Sequence, residues 1–349
     1  MFGFFKNDVA ANSEFYLGVN TTRDSVFNGE VQSALSGGKI TLKGEPGWAQ
    51  NQFVFSEGAQ GEHFYLKFVS GELEGAWFDI SANDSSSVSV SIGASELAKI
   101  SSGDKVKIIP HWTLSTLLPE GGGVSPATKI SQTQDATILY KYTGFGAGGV
   151  EYSIGENKAP LRTFVYRKRG SNVGWRDADK EDASNEVIEP GSVLILSQPE
   201  SQACEVAYTG IVPMCATSIE LFTLDDGSGV QNQDIFLASP SVAKFALSEL
   251  TAVLVDTGAF APSTGISSNA VDVLYVYENK SAGQNIAPDN SYYYRRRGTV
   301  SKWLDANKAD ADTSVIPAGA AIVIRKLAGT DEFAARVKFT PEYISNKNQ

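Results

Sequence analysis

Residues 164–196 read FVYRKRGSNVGWRDADKEDASNEVIEPGSVLIL, and residues 292–324 read YYYRRRGTVSKWLDANKADADTSVIPAGAAIVI. The two stretches align without a gap, 128 residues apart, and thirteen of their thirty-three positions are identical. Average residue frequencies would give about two identities by chance. The matches include Tyr166/Tyr294, Gly170/Gly298, Trp175/Trp303, Asp177/Asp305, Lys180/Lys308, Val187/Val315 and Gly191/Gly319. Internal self-similarity of this kind marks a repeated structural unit.

The repeat extends outward. Leu139-Tyr140 precedes the first copy as Leu274-Tyr275 precedes the second, and Glu14–Leu17 resembles Asp234–Leu237. Two related halves, 14–213 and 234–341, follow from this, the first carrying an extra β segment at about 30–110. Short alternating runs dominate throughout: FYLKF (64–68), VSVSI (88–92), VKII (106–109), ILYKY (138–142) and VDVLYVY (271–277). Period-two alternation of β-branched and aromatic residues between turn signals predicts half-buried strands. Helical periodicity is weak, with Val242–Leu250 the best candidate and Ser241 as its cap. The expected fold is all-β: two related sandwich- or barrel-like modules from an internal duplication, with a β insert in the first half. As domains this predicts an N-terminal arm at 1–13, a first β domain at 14–130, a first repeat module at 131–216 and a second at 217–349.

A chain of 349 residues can bury a large core without metal or disulfide staples. With 29 Lys+Arg against 40 Asp+Glu, the net charge is −11, which repels phosphate and argues against a nucleic-acid partner. No apolar run approaches the ~20 residues that span a bilayer, and MFGFFKND is too short for a signal-peptide core. Cys204 and Cys215 flank a Gly-containing stretch. They fit either a disulfide across a hairpin or two buried thiols.

Motifs with chemical meaning are sparse. Gly144–Gly149 contains GxGxxG, yet VEYSI (150–154) reads as strand rather than as a phosphate-binding helix, so a hairpin loop is expected. Asp177, Asp179, Asp305 and Asn307 place oxygens at alternate positions, as calcium loops do. The sixth-position Gly and the bidentate acid at position 12 are missing, so these are weak candidates beside a solvated acidic loop. Arg167, Arg169, Arg295 and Arg297 lie at strand ends beside Tyr166 and Tyr294. They read as partners of nearby carboxylates, within the chain or between subunits. His63 and His111 are the only histidines, and HExxH, CxxC and GxSxG are absent. No catalytic residue and no cofactor is expected. The five tryptophans would stack on sugars if exposed, although core packing is their commoner fate.

GEPGWAQNQF (44–53), SGELEGAWFDISAND (70–84), GDKVKIIPHWTLSTLLP (103–119) and the paired YYY-to-Trp segments resemble the recurring blocks of a protein family. It consists of uncharacterised, usually secreted, two-repeat β-rich proteins of Verrucomicrobia-type bacteria. The resemblance covers nearly all of 14–341 and implies the duplicated β fold and an extracellular or cell-surface location. It implies no activity.

These readings converge on a non-enzymatic structural protein that self-assembles into a homo-oligomer or polymer: a filament, tube, layer or virion-like particle. The apolar start, with Phe2, Phe4 and Phe5, is the expected docking strand for a neighbour's open sheet edge. The alternative is an adhesin or carbohydrate-binding module that takes a cell-surface glycan on exposed Tyr and Trp, Trp175 and Trp303 first.

Overall fold

The computed structural model describes residues 1–56, 60–120, 123–127, 136–146, 149–170, 172–264 and 271–345. Among these, almost every regular element is a strand.

The insert is a closed barrel. Its six strands run in the order Phe27–Leu35, Lys39–Leu42, Ser87–Val90, Trp77–Asn83, Phe64–Phe68 and Lys105–Pro110, every neighbour antiparallel. Alternate residues point inward, so Val31, Ile40, Leu42, Leu66, Phe68, Val88 and Ile108 fill the interior. Closure leaves no open sheet edge. Irregular registers between Val31 and Ser33 and between Ile80 and Ala82 bend two of the strands to close it.

The remaining chain forms two modules of matching layout. The first has a five-stranded antiparallel sheet in the order Asn172–Arg176, Arg162–Arg169, Ile138–Lys141, Val193–Ser197, Glu14–Gly18. The second repeats that order with Val300–Asp305, Asn290–Arg297, Val273–Tyr277, Ala321–Lys326 and Gln233–Ala238. Each sheet packs on a two-stranded ribbon, Phe2–Val9 with Cys204–Ile211 in one and Thr217–Thr223 with Phe333–Phe339 in the other. Each also has a short strand pair, Trp112–Thr113 with Val187–Ile188 and Phe245–Ala246 with Val315–Ile316. The hairpins of the repeat turn at Gly170 and Gly298, whose φ values of 59° and 60° are left-handed and favour glycine. The following loops place Lys180 and Lys308 in the same region, at 71° and 66°.

The domain boundaries differ from those read in the sequence. Glu14–Gly18 pairs with Val193–Ser197, so it shares one sheet with Ile138–Lys141, Arg162–Arg169, Asn172–Arg176 and Val193–Ser197, and the insert interrupts that module instead of extending a separate one. The N-terminal segment is not a free arm, because all of Phe2–Val9 is paired with Cys204–Ile211 of the same chain. The helical turns fall at Leu247–Leu250 and Thr251–Val255, and Ser241 Oγ accepts only from the Ala243 amide.

Each five-stranded sheet is covered on both faces. In the first, Leu17, Leu139, Leu194 and Leu196 face the ribbon with Trp175 and Phe164. Their neighbours Tyr16, Tyr140, Tyr142, Val193 and Ile195 face the other way, into a separate layer with Phe236, Tyr277 and Ala321 of the second module. This two-sided burial explains why Val193–Leu196 is apolar without alternation. The edge strands meet where Gly18 lies against Ala238, at a place where any Cβ would come within 3.2 Å of the Ala238 Cα. Asn279 closes the seam: its side chain accepts from the Tyr16 amide at 2.7 Å and donates to the Tyr16 carbonyl at 3.0 Å.

Candidate functional site

Two surfaces stand out, an apolar sheet edge and a cleft between the modules. The edge is Phe2–Val9. Alternation sends Phe5 and Val9 inward, where Phe5 stacks on Tyr208 with ring centres 4.9 Å apart. Phe2 and Phe4 point outward and are 71% and 70% exposed. Lys6, on the same face, pairs with Glu205 at 2.7 Å. On its far side this strand has no strand neighbour among the described residues. Of the seven residues expected at an assembly interface, Phe2, Phe4, Phe5, Arg167, Arg169, Arg295 and Arg297, Phe2 and Phe4 are presented to solvent, whereas Phe5 packs against the chain's own core.

The four arginines lie elsewhere, on hairpins at the sheet edges opposite the seam. The middle residue of each basic triplet takes a partner from another segment: Lys168 pairs with Glu120 at 3.1 Å and Arg296 with Asp256 at 2.7 Å. Arg167, Arg169, Arg295 and Arg297 make no ion pair among the described residues. The acidic loops that follow pair instead with Arg176 and Lys302, through Asp182 and Asp310.

Two of the carboxylates proposed for calcium, Asp177 and Asp305, serve the backbone. Asp177 Oδ1 accepts from the Glu181 amide at 2.8 Å, and Asp305 Oδ1 accepts from the Asn307 and Ala309 amides at 2.9 and 2.8 Å. No group of three or more potential metal-binding side chains occurs among the described residues. The GxGxxG segment is a hairpin in which Thr143–Gly146 pairs with Gly149–Tyr152, while 147–148 lie outside the described residues.

Cys204 and Cys215 are both free. The stretch between them is one extended strand, Cys204–Ile211, rather than a hairpin. At ~3.3 Å per residue that strand carries the chain roughly 23 Å from Cys204 by Ile211, so the two cysteines do not face each other across a hairpin. Burial pushes the Cys204 thiol up to about 11 and raises that of Cys215. Trp175 and Trp303 are 1% and 0% exposed, each in a module core, so neither can stack on a glycan. Their indole N–H groups donate to the Leu118 carbonyl and to Thr251 Oγ1.

The cleft went unseen in the sequence. Two adjoining cavities of about 320 Å³ each open between the modules, one of them also walled by Trp77, Phe78 and Asp79 of the barrel. They share Tyr142, Ser153, Asp234 and Phe236 in their walls. In the one between the modules alone, Tyr16 stacks on Tyr277 with centres 3.9 Å apart, and Tyr142 on Phe236 at 4.0 Å, each pair bridging the modules. Asp234 grips Arg325 with both oxygens, at 2.7 Å to Nε and 2.8 Å to Nη2, and Nη2 also donates to Asn157 Oδ1 at 2.8 Å. Arg325 lies 5.4 Å from the centre of the Tyr275 ring. The pairing with Asp234 raises the guanidinium pKa further. In the cavity beside the barrel Asp79 pairs with His111 at 2.7 Å and Glu189 with the buried Lys141 at 2.9 Å. Arg336 holds both Glu96 and Glu220.

No protein-family model, curated protein or solved structure matches this chain.

Proposed function

We propose that this chain is a non-enzymatic structural unit that associates with further copies of itself through the open edge of Phe2–Val9. What carries the reading is the pair of outward phenylalanines, 71% and 70% exposed, on an eight-residue edge strand. Proteins normally protect such an edge with charge, proline or a covering loop, because its unpaired N–H and C=O groups recruit another strand. Here only Lys6 and Asp8 guard one end.

The mode differs from strand donation. Phe2–Val9 keeps its own partner, Cys204–Ile211, and the neighbour adds alongside, burying Phe2 and Phe4 in the contact. Two modules of one strand order, read as copies of a single unit, suit a repetitive assembly such as a filament or layer. A cell-surface or extracellular setting is part of this reading and rests on the family resemblance.

The test is sedimentation and electron microscopy of the purified chain against a Phe2→Ser/Phe4→Lys variant. Both positions are exposed, so the variant should fold. Concentration-dependent oligomers in the parent that disappear in the variant support the proposal. A parent that stays monomeric, or a variant that assembles as the parent does, overturns it.

A further inference from the structure

We propose that the cleft between the two five-stranded sheets binds a neutral carbohydrate, a short run of uncharged pyranose rings. This site is separate from the Phe2–Val9 edge, and the proposal stands or falls independently of assembly.

A pyranose ring has an apolar C–H face and a rim of hydroxyls. A site for it needs flat aromatic surface beside planar polar groups that are already fixed in place. The cavity between the modules alone brings these together. Its aromatic wall is Tyr16, Tyr142, Phe236, Tyr275 and Tyr277, drawn from both modules. Its polar floor is the Asp234–Arg325 fork with Asn157 beside it. At about 320 Å³ the cavity falls within the size range of small-ligand clefts.

Rigidity comes from the geometry already described. The bidentate fork fixes the guanidinium plane. The Asn157 amide donates to Asp234 Oδ2 at 2.8 Å, which holds the loop against the fork. Among the described residues Arg325 Nη1 has no acceptor, and neither has the Asn157 side-chain N–H₂ group. Both can donate to sugar hydroxyls without breaking an existing bond. Burial raises the phenols of Tyr142 and Tyr277, so their hydroxyls stay protonated and can donate and accept.

Charge selects a neutral ligand. An anion approaching Arg325 would have to compete with Asp234 and with Glu156, 3.4 Å from Nε. A cation would meet Arg325 and Lys158 in the wall. Around this cavity Asp234 and Glu156 balance Arg325 and Lys158, so it offers neither sign a net attraction. Both Asp234 oxygens are already engaged, by Arg325 and by the Asn157 backbone amide, so this carboxylate orients the fork rather than acting on a glycosidic bond. Binding without cleavage is the consequence.

The experiment is isothermal calorimetry of the full chain with cellohexaose, laminarihexaose and maltohexaose at millimolar concentration. It is repeated with Tyr275→Ala and with Asn157→Ala, an exposed position that leaves the core intact. Binding of at least one neutral hexaose, weakened about tenfold or more in a folded variant, supports the site. Circular dichroism and melting temperature identify which variants are folded. No heat with any of the three, affinity undiminished in folded Asn157→Ala, or displacement of the sugar by heparin each overturns it. The Phe2→Ser/Phe4→Lys chain should bind sugar as the parent does, so failure of the assembly reading leaves this result legible.

Discussion

Asp272 and Lys326 form a salt bridge inside the second module, where the first module has no charge at all. Asp272 is fully buried and Lys326 nearly so, with 2.8 Å between Oδ2 and Nζ. The matching positions in the first sheet are Thr137 and Gln198, joined by a neutral hydrogen bond of 3.1 Å. The backbone explains the difference. In both modules an incoming amide donates to the first side chain, Ser125 N to Thr137 Oγ1 and Ala261 N to Asp272 Oδ2, each at 2.7 Å. In the second module Leu327 N also donates, to Asp272 Oδ1 at 2.8 Å. The first module has Pro199 at that place, which offers no N–H. One acceptor therefore suffices there, whereas the second module needs two, and a buried carboxylate in turn needs a cation. Asp272→Thr should strand the Lys326 ammonium and the Leu327 amide, at a cost of about 3–5 kcal/mol. Asp272→Thr/Lys326→Gln removes the buried charge and leaves only the Leu327 amide, at about 1–3 kcal/mol. Native-state hydrogen exchange on Val273–Tyr277 and Ala321–Lys326 reads these energies locally. The single variant should lose roughly two to four orders of magnitude of protection, and the double variant clearly less, at 1.4 kcal/mol per tenfold. A single variant that loses less than about tenfold, or a double variant no better protected than the single, would refute the reasoning.

Trp303→Ala should cost about 3–5 kcal/mol in thermal melts, because the ring is fully buried between Phe260 and Tyr294. Trp303→Phe should cost less, losing mainly the hydrogen bond to Thr251. With its thiol pushed up to about 11, native Cys204 should react with iodoacetamide at pH 8 about two orders of magnitude more slowly than a free cysteine. The same shift gives a sign for stability: the folded state resists ionisation, so stability should fall as pH rises from the unfolded thiol's range toward 11. Asp305→Asn keeps an acceptor for the Asn307 and Ala309 amides and should cost under about 1 kcal/mol, whereas Asp305→Ala should cost about 1–2 kcal/mol by chemical denaturation. Asn279→Ala frees the amide and carbonyl of Tyr16 and should raise exchange at Glu14–Gly18 before it affects the barrel.

The fold class was legible because strands advertise themselves locally. Alternation in FYLKF and ILYKY gave the strands, and the matched Gly170 and Gly298 gave the turns. The insert was legible as an interruption of the repeat, and its observed strands span Phe27–Pro110. Pairing across the insert was not. Nothing local to Glu14–Gly18 says that its neighbour is Val193–Ser197, because register between distant strands is set by the whole sheet. Of the two readings open for the cysteines, free thiols hold, and the hairpin disulfide fails because Gly210 continues the strand opposite Gly3. Trp175 and Trp303 stood out as matched residues, and matching alone does not separate a core anchor from a binding surface.

The cleft was hidden by the same alternation that revealed the strands. In a sheet with one wet face, Tyr140, Tyr142, Tyr275 and Tyr277 would be ordinary outward residues beside a leucine core. They become a site only because the modules meet face to face, so that Tyr142 meets Phe236 and Tyr277 meets Tyr16 across the seam. The aromatic bias of those outward positions was visible, and its pairing with fully apolar VLIL was the available clue that both faces are covered. The polar half of the cleft has a different origin. Asp234 and Arg325 lie directly opposite one another on neighbouring strands, so their fork is a cross-strand pair, recognisable only once that register is known. The site is thus a product of register within one sheet and docking between two. Each Tyr-rich strand read alone predicts packing, and only their juxtaposition across the seam supplies a surface on which a sugar ring can lie.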